Sequence, residues 1–269
     1  MKKSLVPLLI SFLLLSYVAP GFCTQPIGNE SPTMILDSED DEFLDAFDDG
    51  EPVSDSSVSD PLYYLNYSMY AFNDLLYFYA LKPVARGYKF VVPTVVRKGV
   101  RNFFHNIAFP IRLVNNLLQG QVRFACDEVG VFLVNTTAGG LGFWQVAQNY
   151  MDLDTHNEDL GQTLGKWQLG EGIYLVLPFL GPSSFRDSIG TVGDYFLTPG
   201  TYVLSTEVNA GVSGLEAVNG TSFRIGDYEA LKAASLDPYQ ALKNAYIQRR
   251  RAMVDNLEEK KEKNLEGEI

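Results

Sequence analysis

The chain has 269 residues, of which 46% are hydrophobic, 20% charged and 13% aromatic, with a mean hydropathy of −0.03. That supports one substantial domain, or at most two small ones. A net charge of −12 and an isoelectric point of about 4.6 argue against a nucleic-acid partner. The cysteines, Cys23 and Cys126, offer no disulfide framework once Cys23 leaves with an export signal.

The chain begins Met1-Lys2-Lys3, followed by an apolar run over Leu5–Val18 and small residues at Ala19, Gly21 and Cys23. Residues 1–23 therefore read as a secretory signal peptide. Two mature starts stay open: cleavage before Thr24, or lipidation of Cys23 as the first mature residue. Residues 24–59 read as an acidic, disordered tether. Between Thr24 and Asp60 lie 12 acids and no base, whereas residues 61–269 hold 21 acids against 19 bases. Phe43, Leu44 and Phe47 within the tether are spaced for one helical turn against a partner.

A helical domain is expected over 60–256. Asp60-Pro61 forms a helix-opening pair, the acid accepting from free amides and the proline occupying the first turn. Leu62, Leu65, Met69, Phe72 and Leu76 make one stripe of the first helix, and Tyr63, Tyr64, Tyr67, Tyr70 and Tyr77 cover its other faces. A helix apolar or aromatic all round lies deep in the protein or partly in lipid. Pro93, Pro110 and Pro182 open further helices, Val122–Asn135 reads as a buried one, and Cys126 as a small buried hydrophobe. Asp237-Pro238 opens the last helix, with Leu242, Tyr246 and Ile247 inward and Arg249, Arg250 and Arg251 outward. Residues 257–269 form a charged tail that frays.

No alternating strand pattern persists, so the fold class is all-α. The exception is the glycine-rich stretch Thr137–Gly172, a long irregular loop or hairpin of the kind that usually has a function. After the signal, no apolar run reaches the roughly 18 residues of a spanning helix. Between Asp74 and Asp127 there are eight bases and no acid. This stretch is either a set of solvated helix faces or a cationic surface for anionic headgroups.

Motifs for chemistry are sparse. His105 lies among phenylalanines, and His156 sits alone among loop carboxylates, a weak basis for a metal site. Gly181-Pro182-Ser183-Ser184 reads as a turn in which serine caps a helix. Gly139-Gly140-Leu141-Gly142 lacks the spacing of a phosphate-binding loop. No cofactor, metal or catalytic residue is expected.

The motifs themselves form a pattern. Asp60-Pro61, Asn66, Met69-Tyr70, Phe72-Asn73-Asp74 and Lys82-Pro83-Val84-Ala85 come first. Val100-Arg101-Asn102-Phe103, Leu118-Gln119-Gly120 and Phe132–Thr137 follow. Next come Gly139–Gly142, Glu158–Gly165, Gly170–Tyr174, Gly181–Ser184 with Arg186-Asp187, and Asp237-Pro238-Tyr239. In order and over about 60–251, they resemble the MlaA/VacJ lipid-asymmetry family.

The resemblance implies a ring of helices in the inner leaflet of the outer membrane, on the periplasmic side of a Gram-negative envelope. An amphipathic channel through the ring would remove stray phospholipid from the outer leaflet, working with a trimeric porin and a soluble periplasmic lipid carrier. Along or beside that path, as lining or gate, the expected residues are Phe72, Asn73, Phe103, Gly139, Gly140, Gly142 and Phe143. Two rivals remain. One is a docking or structural factor of the envelope. The other is an exported lipid hydrolase using Ser183 or Ser184 with His105 or His156.

Overall fold

Helix formation starts two residues later than Asp60-Pro61 predicts, because Asp60 is engaged elsewhere. In a computed structural model describing residues 58–266, with side chains described as far as Asp255, helix α1 (Tyr63–Leu76) opens behind Leu62 without a side-chain cap. Asp60 instead accepts from Asn66 Nδ2 (2.7 Å) and the Tyr239 hydroxyl (2.6 Å), with Lys243 at 3.8 Å. It joins the first helix to the last. The export signal, Cys23, the tether as far as residue 57 and its Phe43–Phe47 turn lie outside the described residues. Of the tether's last two residues, Val58 packs on the core and the Ser59 carbonyl accepts from the Tyr174 amide (3.2 Å).

A π-helical turn (Tyr77–Leu81) carries α1 directly into α2 (Lys82–Val91). The Lys82 amide reaches back five residues to the Tyr77 carbonyl, and Pro83, which has no N–H to donate, follows at once. Pro93 precedes α3 (Thr94–Ile107), and Pro110 sits in the first turn of α4 (Phe109–Leu118), as the sequence predicts. Helix α5 spans Val122–Thr137. The stretch Thr137–Gly172 is irregular but carries two short helices, α6 (Val146–Met151) and α7 (Leu160–Lys166).

A β-hairpin follows. Strands β1 (Tyr174–Leu177) and β2 (Gly181–Ser184) pair antiparallel, Tyr174 opposite Ser184 and Leu177 opposite Gly181. Pro182 therefore lies in a strand rather than opening a helix. A two-stranded sheet has open edges, where proline's missing donor costs little. The turn needs left-handed backbone at Phe179 and Gly181 (φ 68° and 85°). Ser184 accepts from the Asp187 amide (3.1 Å) and caps α8 (Phe185–Leu197), the role expected of that serine pair. Helices α9 (Gly200–Val203), α10 (Thr206–Phe223), α11 (Asp227–Ala234) and α12 (Pro238–Glu266) complete the chain. Asp237 accepts from the amides of Tyr239 (3.0 Å) and Gln240 (3.2 Å), so the last helix opens as predicted. The charged residues from 257 to 266 continue it.

Burial is inverted over most of the helices. On α4, Arg112, Asn115 and Asn116 are buried while Leu117 and Leu118 are exposed. On α3, Arg97 and Asn106 point in and Val95 and Ile107 point out. Helix α5 is buried on one face only: Ala125, Glu128, Val131 and Asn135 are its interior residues, and Val122, Val129 and Leu133 face outward. Cys126 is exposed, correcting its assignment to the core. On α1 the interior residues are Asn66 and Tyr70, and much of the predicted stripe (Leu62, Leu65, Phe72) is exposed. Hydrophobic periodicity finds an apolar face but does not say whether that face meets protein or lipid. Phe90, Tyr64 and Leu236 are exposed at 92%, 87% and 107%, and the apolar residues exposed with them far exceed isolated surface hydrophobics. No helix among the described residues is long and apolar enough to cross a membrane. The conventional core is small: Tyr70, Tyr174, Val176 and Tyr239, flanked by Val58, Met69, Leu242 and Tyr246.

Packing contacts close into a circuit. Helix α1 leads through the π turn to α2, which packs on α10. Helix α10 also packs on α3, which touches α4, and α4 touches α7. Helix α7 packs on α12, α12 on β2, and β2 returns to α1.

Candidate functional site: an open cavity among the helices

An open cavity of about 440 Å³ lies among five of these helices and the segment before α7. Helix α3 contributes Arg101, Phe104 and His105, and α4 contributes Ile111 and Arg112. Asn157, Glu158 and Asp159 enter from the segment before α7, Gln162 from α7 itself, Glu216, Asn219 and Gly220 from α10, and Met253 from α12. Helical spacing explains the sets: 101, 104 and 105, and 216, 219 and 220, each fall on one face.

Most of the charged lining is already paired. Arg112 donates to Glu128 (2.8 Å) and to the His105 carbonyl (2.7 Å), and Glu128 also accepts from the His156 amide (2.6 Å). Burial raises the Glu128 pKa, with Arg112 pulling the other way. Burial, with Arg112 next in weight, lowers the His105 pKa to about 4. The ring is therefore neutral near pH 7 and bonds to Asn157 Oδ1 at 2.9 Å. His156 stacks on Phe124, ring centroids 3.8 Å apart. A seam of amides joins α4 to α7: Gln119 donates to Glu158 (3.0 Å) and Thr163 (3.1 Å), and Thr163 donates to Asn115 (2.9 Å).

Arg250 is the principal correction to the sequence reading. Expected to point outward, it points in and holds two carboxylates at once. Its nitrogens reach both oxygens of Asp159 (2.7 and 2.9 Å) and both of Asp187 (2.9 and 3.0 Å). Asp159 in turn caps α7 through the Gln162 amide (2.8 Å), and Tyr246 donates to Asp187. Burial alone raises the pKa of either acid, but the Arg250 contacts outweigh it and hold both below the usual carboxylate range.

The basic stretch is divided in the same way. Arg97 donates to Ser222 (2.9 Å), Lys82 pairs with Glu229, and Arg112 is buried against Glu128. Arg86, Lys89, Lys98 and Arg123 stay exposed.

The predicted path residues form two groups, and neither is part of the cavity lining. Asn73 donates to the Leu177 carbonyl (2.9 Å) and accepts from the Phe179 amide (2.8 Å), while Phe72 meets Phe179 edge-on, ring centroids 5.3 Å apart. These two residues hold the tip of the hairpin. The second group surrounds the turn after α5. Gly140, Leu141 and Gly142 are left-handed (φ 61°, 61° and 89°). A Cβ at Gly142 would lie 2.3 Å from Asn106 Cβ, and one at Gly139 would lie 2.2 Å from the Trp144 carbonyl oxygen. The Phe143 ring covers Gly99, and Asn102 donates to the Phe143 carbonyl (3.3 Å). Phe103 is on α3, one position from the cavity-facing Phe104. The lining residues Arg101, Glu216 and Met253 were not anticipated. The signal for Glu216 was a single acid at helical spacing from Asn219 and Gly220 in a helix of small residues.

Fold and site together define a helical protein with apolar faces outward and a circuit of packed helices beside an open cavity of about 440 Å³ that mixes charged and apolar side chains. The chain belongs to the MlaA lipoprotein family, whose model matches residues 58–253. It is 34% identical over 209 residues to the Intermembrane phospholipid transport system lipoprotein MlaA of Escherichia coli strain K12, covering 77% of this chain and 82% of that one. It is 32% identical over 198 residues to an uncharacterized protein of Rickettsia felis, covering 73% and 78% respectively. A solved structure, from work on the structural basis for maintenance of bacterial outer membrane lipid asymmetry, superposes with a TM-score of 0.64 at 33% identity. It spans 73% of this chain and 99% of that one.

Proposed function

We infer that this protein is the outer-membrane component of a phospholipid transport system, providing a path by which mislocalised phospholipid leaves the outer leaflet. The observation that carries this reading is the inverted burial around the cavity. Exposed Leu, Val, Phe and Tyr suit a seat among acyl chains, and the enclosed arginines, carboxylates and amides suit a headgroup that must stay solvated in transit. The closed packing circuit supports a ring lying in one leaflet from the periplasmic side. Phospholipid would pass to a soluble periplasmic carrier, and a trimeric porin would cover part of the outward apolar face. The left-handed turn Gly140–Gly142 with Phe143, and the hairpin tip held by Phe72 and Asn73, are the proposed gating elements. Lipidation of Cys23 would add an anchor.

The role is proposed as passive. Ser183 shares a hydrogen bond with Ser188 (3.0 Å), Ser184 caps α8, and His105 and His156 are engaged with Asn157 and Phe124. These contacts favour transport over hydrolysis by a serine–histidine pair.

The test is mass spectrometry of the full chain purified from membranes in mild detergent, reading the mature N-terminus and co-purifying phospholipid. Bound phospholipid is expected, and a lipid-free, water-soluble protein would overturn the reading. For the gate, Gly140→Glu in a stably folded protein should slow lipid transfer. Unchanged transfer would remove that turn from the mechanism.

A further inference from the structure

Of the bases between Asp74 and Asp127, Arg97, Arg112 and Lys82 each meet a partner within the protein. Arg86 and Lys89 do not: both are exposed on α2, and among the described residues no hydrogen bond or ion pair engages either side chain. Helix α2 sorts its residues by direction. Ala85 is fully buried and the Tyr88 hydroxyl donates to Asn219 (3.0 Å), which defines the inward side. At helical spacing, Lys82, Arg86 and Lys89 run down one flank and Val84, Gly87 and Val91 down the other, with Phe90 on the outward side between them. Gly87 has open space where a Cβ would lie, in keeping with that direction.

The apolar side continues past the end of the helix: Phe90, Val91 and Val95 are exposed at 92%, 75% and 70%. The corner that carries them is held from within. Buried Arg97 donates from Nε to the Val92 carbonyl (3.2 Å) and from Nη2 to the Thr94 hydroxyl (3.1 Å), while its Nη1 reaches Ser222 (2.9 Å). A fixed apolar tip beside a row of bases suits a lipid–water boundary, with rings and branched chains below and charges at headgroup level.

We propose that the α2–α3 corner is a contact surface for anionic phospholipid. Phe90, Val91 and Val95 enter the acyl region, and Arg86 and Lys89 meet the phosphates of a negatively charged leaflet. The proposal rests on the transport reading above and names the part of the outward surface that senses lipid charge. The apolar tip gives affinity for any bilayer, and the bases set the preference among bilayers. Their attraction falls off within a Debye length, so the preference weakens as salt is added.

The experiment dilutes the full chain from mild detergent onto preformed vesicles and reads the bound fraction by flotation. The vesicles are phosphatidylcholine, alone or mixed in equal parts with phosphatidylglycerol of matched acyl chains. Wild type should partition more strongly into the mixed vesicles. Arg86→Gln combined with Lys89→Gln should lower that preference roughly five- to thirtyfold, the range of two bases at an anionic surface. Arg86→Lys combined with Lys89→Arg should keep it, and added salt should shrink it. Phe90→Ser combined with Val91→Ser should weaken binding to both vesicles and leave the ratio unchanged. All four positions are exposed, so the variants should fold, which circular dichroism and the thermal midpoint establish. Wild type without a preference, or a folded double glutamine variant with the wild-type ratio, overturns the proposal. So does a carbodiimide cross-link joining Lys89 to an acid of residues 30–55, because the basic flank would then belong to the chain's own acidic segment. Wild type that binds neither vesicle overturns the transport reading instead, so the two failures are distinguishable.

Discussion

Replacing Arg250 with methionine removes four hydrogen bonds to carboxylates, leaving Asp159 without a counter-charge and Asp187 with Arg186 alone (3.1 Å). Removing one partner of a buried ion pair typically costs about 3–5 kcal/mol. Asp187 is 7% exposed and keeps most of that cost, whereas Asp159 is 36% exposed and is discounted toward the small value of a surface pair. The expected loss for Arg250→Met is therefore about 3 kcal/mol. Denaturant unfolding in mild detergent, followed by fluorescence of Trp144 and Trp167, measures it. Adding Asp187→Asn should recover part of the loss, because a neutral amide needs no cation. The acids' pKa values are held below their unfolded values, so this stabilisation is present above about pH 4 and fades as pH falls through the folded pKa. The gap between wild type and Arg250→Met should then narrow below pH 4. A loss under about 1 kcal/mol, or the same loss in the Asp187→Asn background, would refute the coupled-carboxylate account.

Other predictions concern separate parts of the molecule. The His105 pKa is about 4 when folded, below its unfolded value, so the unfolded chain takes up the proton first. Stability attributable to His105 should fall by about 3 kcal/mol between pH 6.5 and 4, and His105→Gln should flatten that slope in pH-dependent unfolding. Gly142→Ala combines left-handed strain with overlap on Asn106 and should cost about 2–4 kcal/mol, read as a lower unfolding midpoint. Asn73→Ala should lose about 1–3 kcal/mol locally, and hydrogen exchange should quicken at residues 177–181 while α4 and α7 keep their protection.

Much of the helix pattern was legible because its punctuation is local: Pro93, Pro110 and Asp237-Pro238 mark helix starts through backbone rules. The direction each helix faces was not legible. Leu62, Leu65 and Phe72 carry the same period whether or not the rest of the chain covers their stripe, and only the fold, which buries Asn66 and exposes them, shows that it does not. Arg250 was misread because three successive arginines look like a solvated face, and its partners lie 63 and 91 positions back. The hairpin was missed because four-residue strands with Pro182 in one of them give too short an alternation. Of the site, the glycine turn and Asn73 were picked out as special. The cavity wall was not, since it depends on which faces of α3, α4, α7, α10 and α12 converge.

The Arg250 node also bears on the order in which the protein can become itself. Until α12 supplies its guanidinium, the acid at the cap of α7 has no cation and the one in the first turn of α8 only the adjacent Arg186, and Asp60 likewise waits for Tyr239 and Lys243. A chain made from its N-terminus cannot complete these pairs until its last helix is present. The last helix to be made is thus the one that lets the acids of the earlier elements be buried.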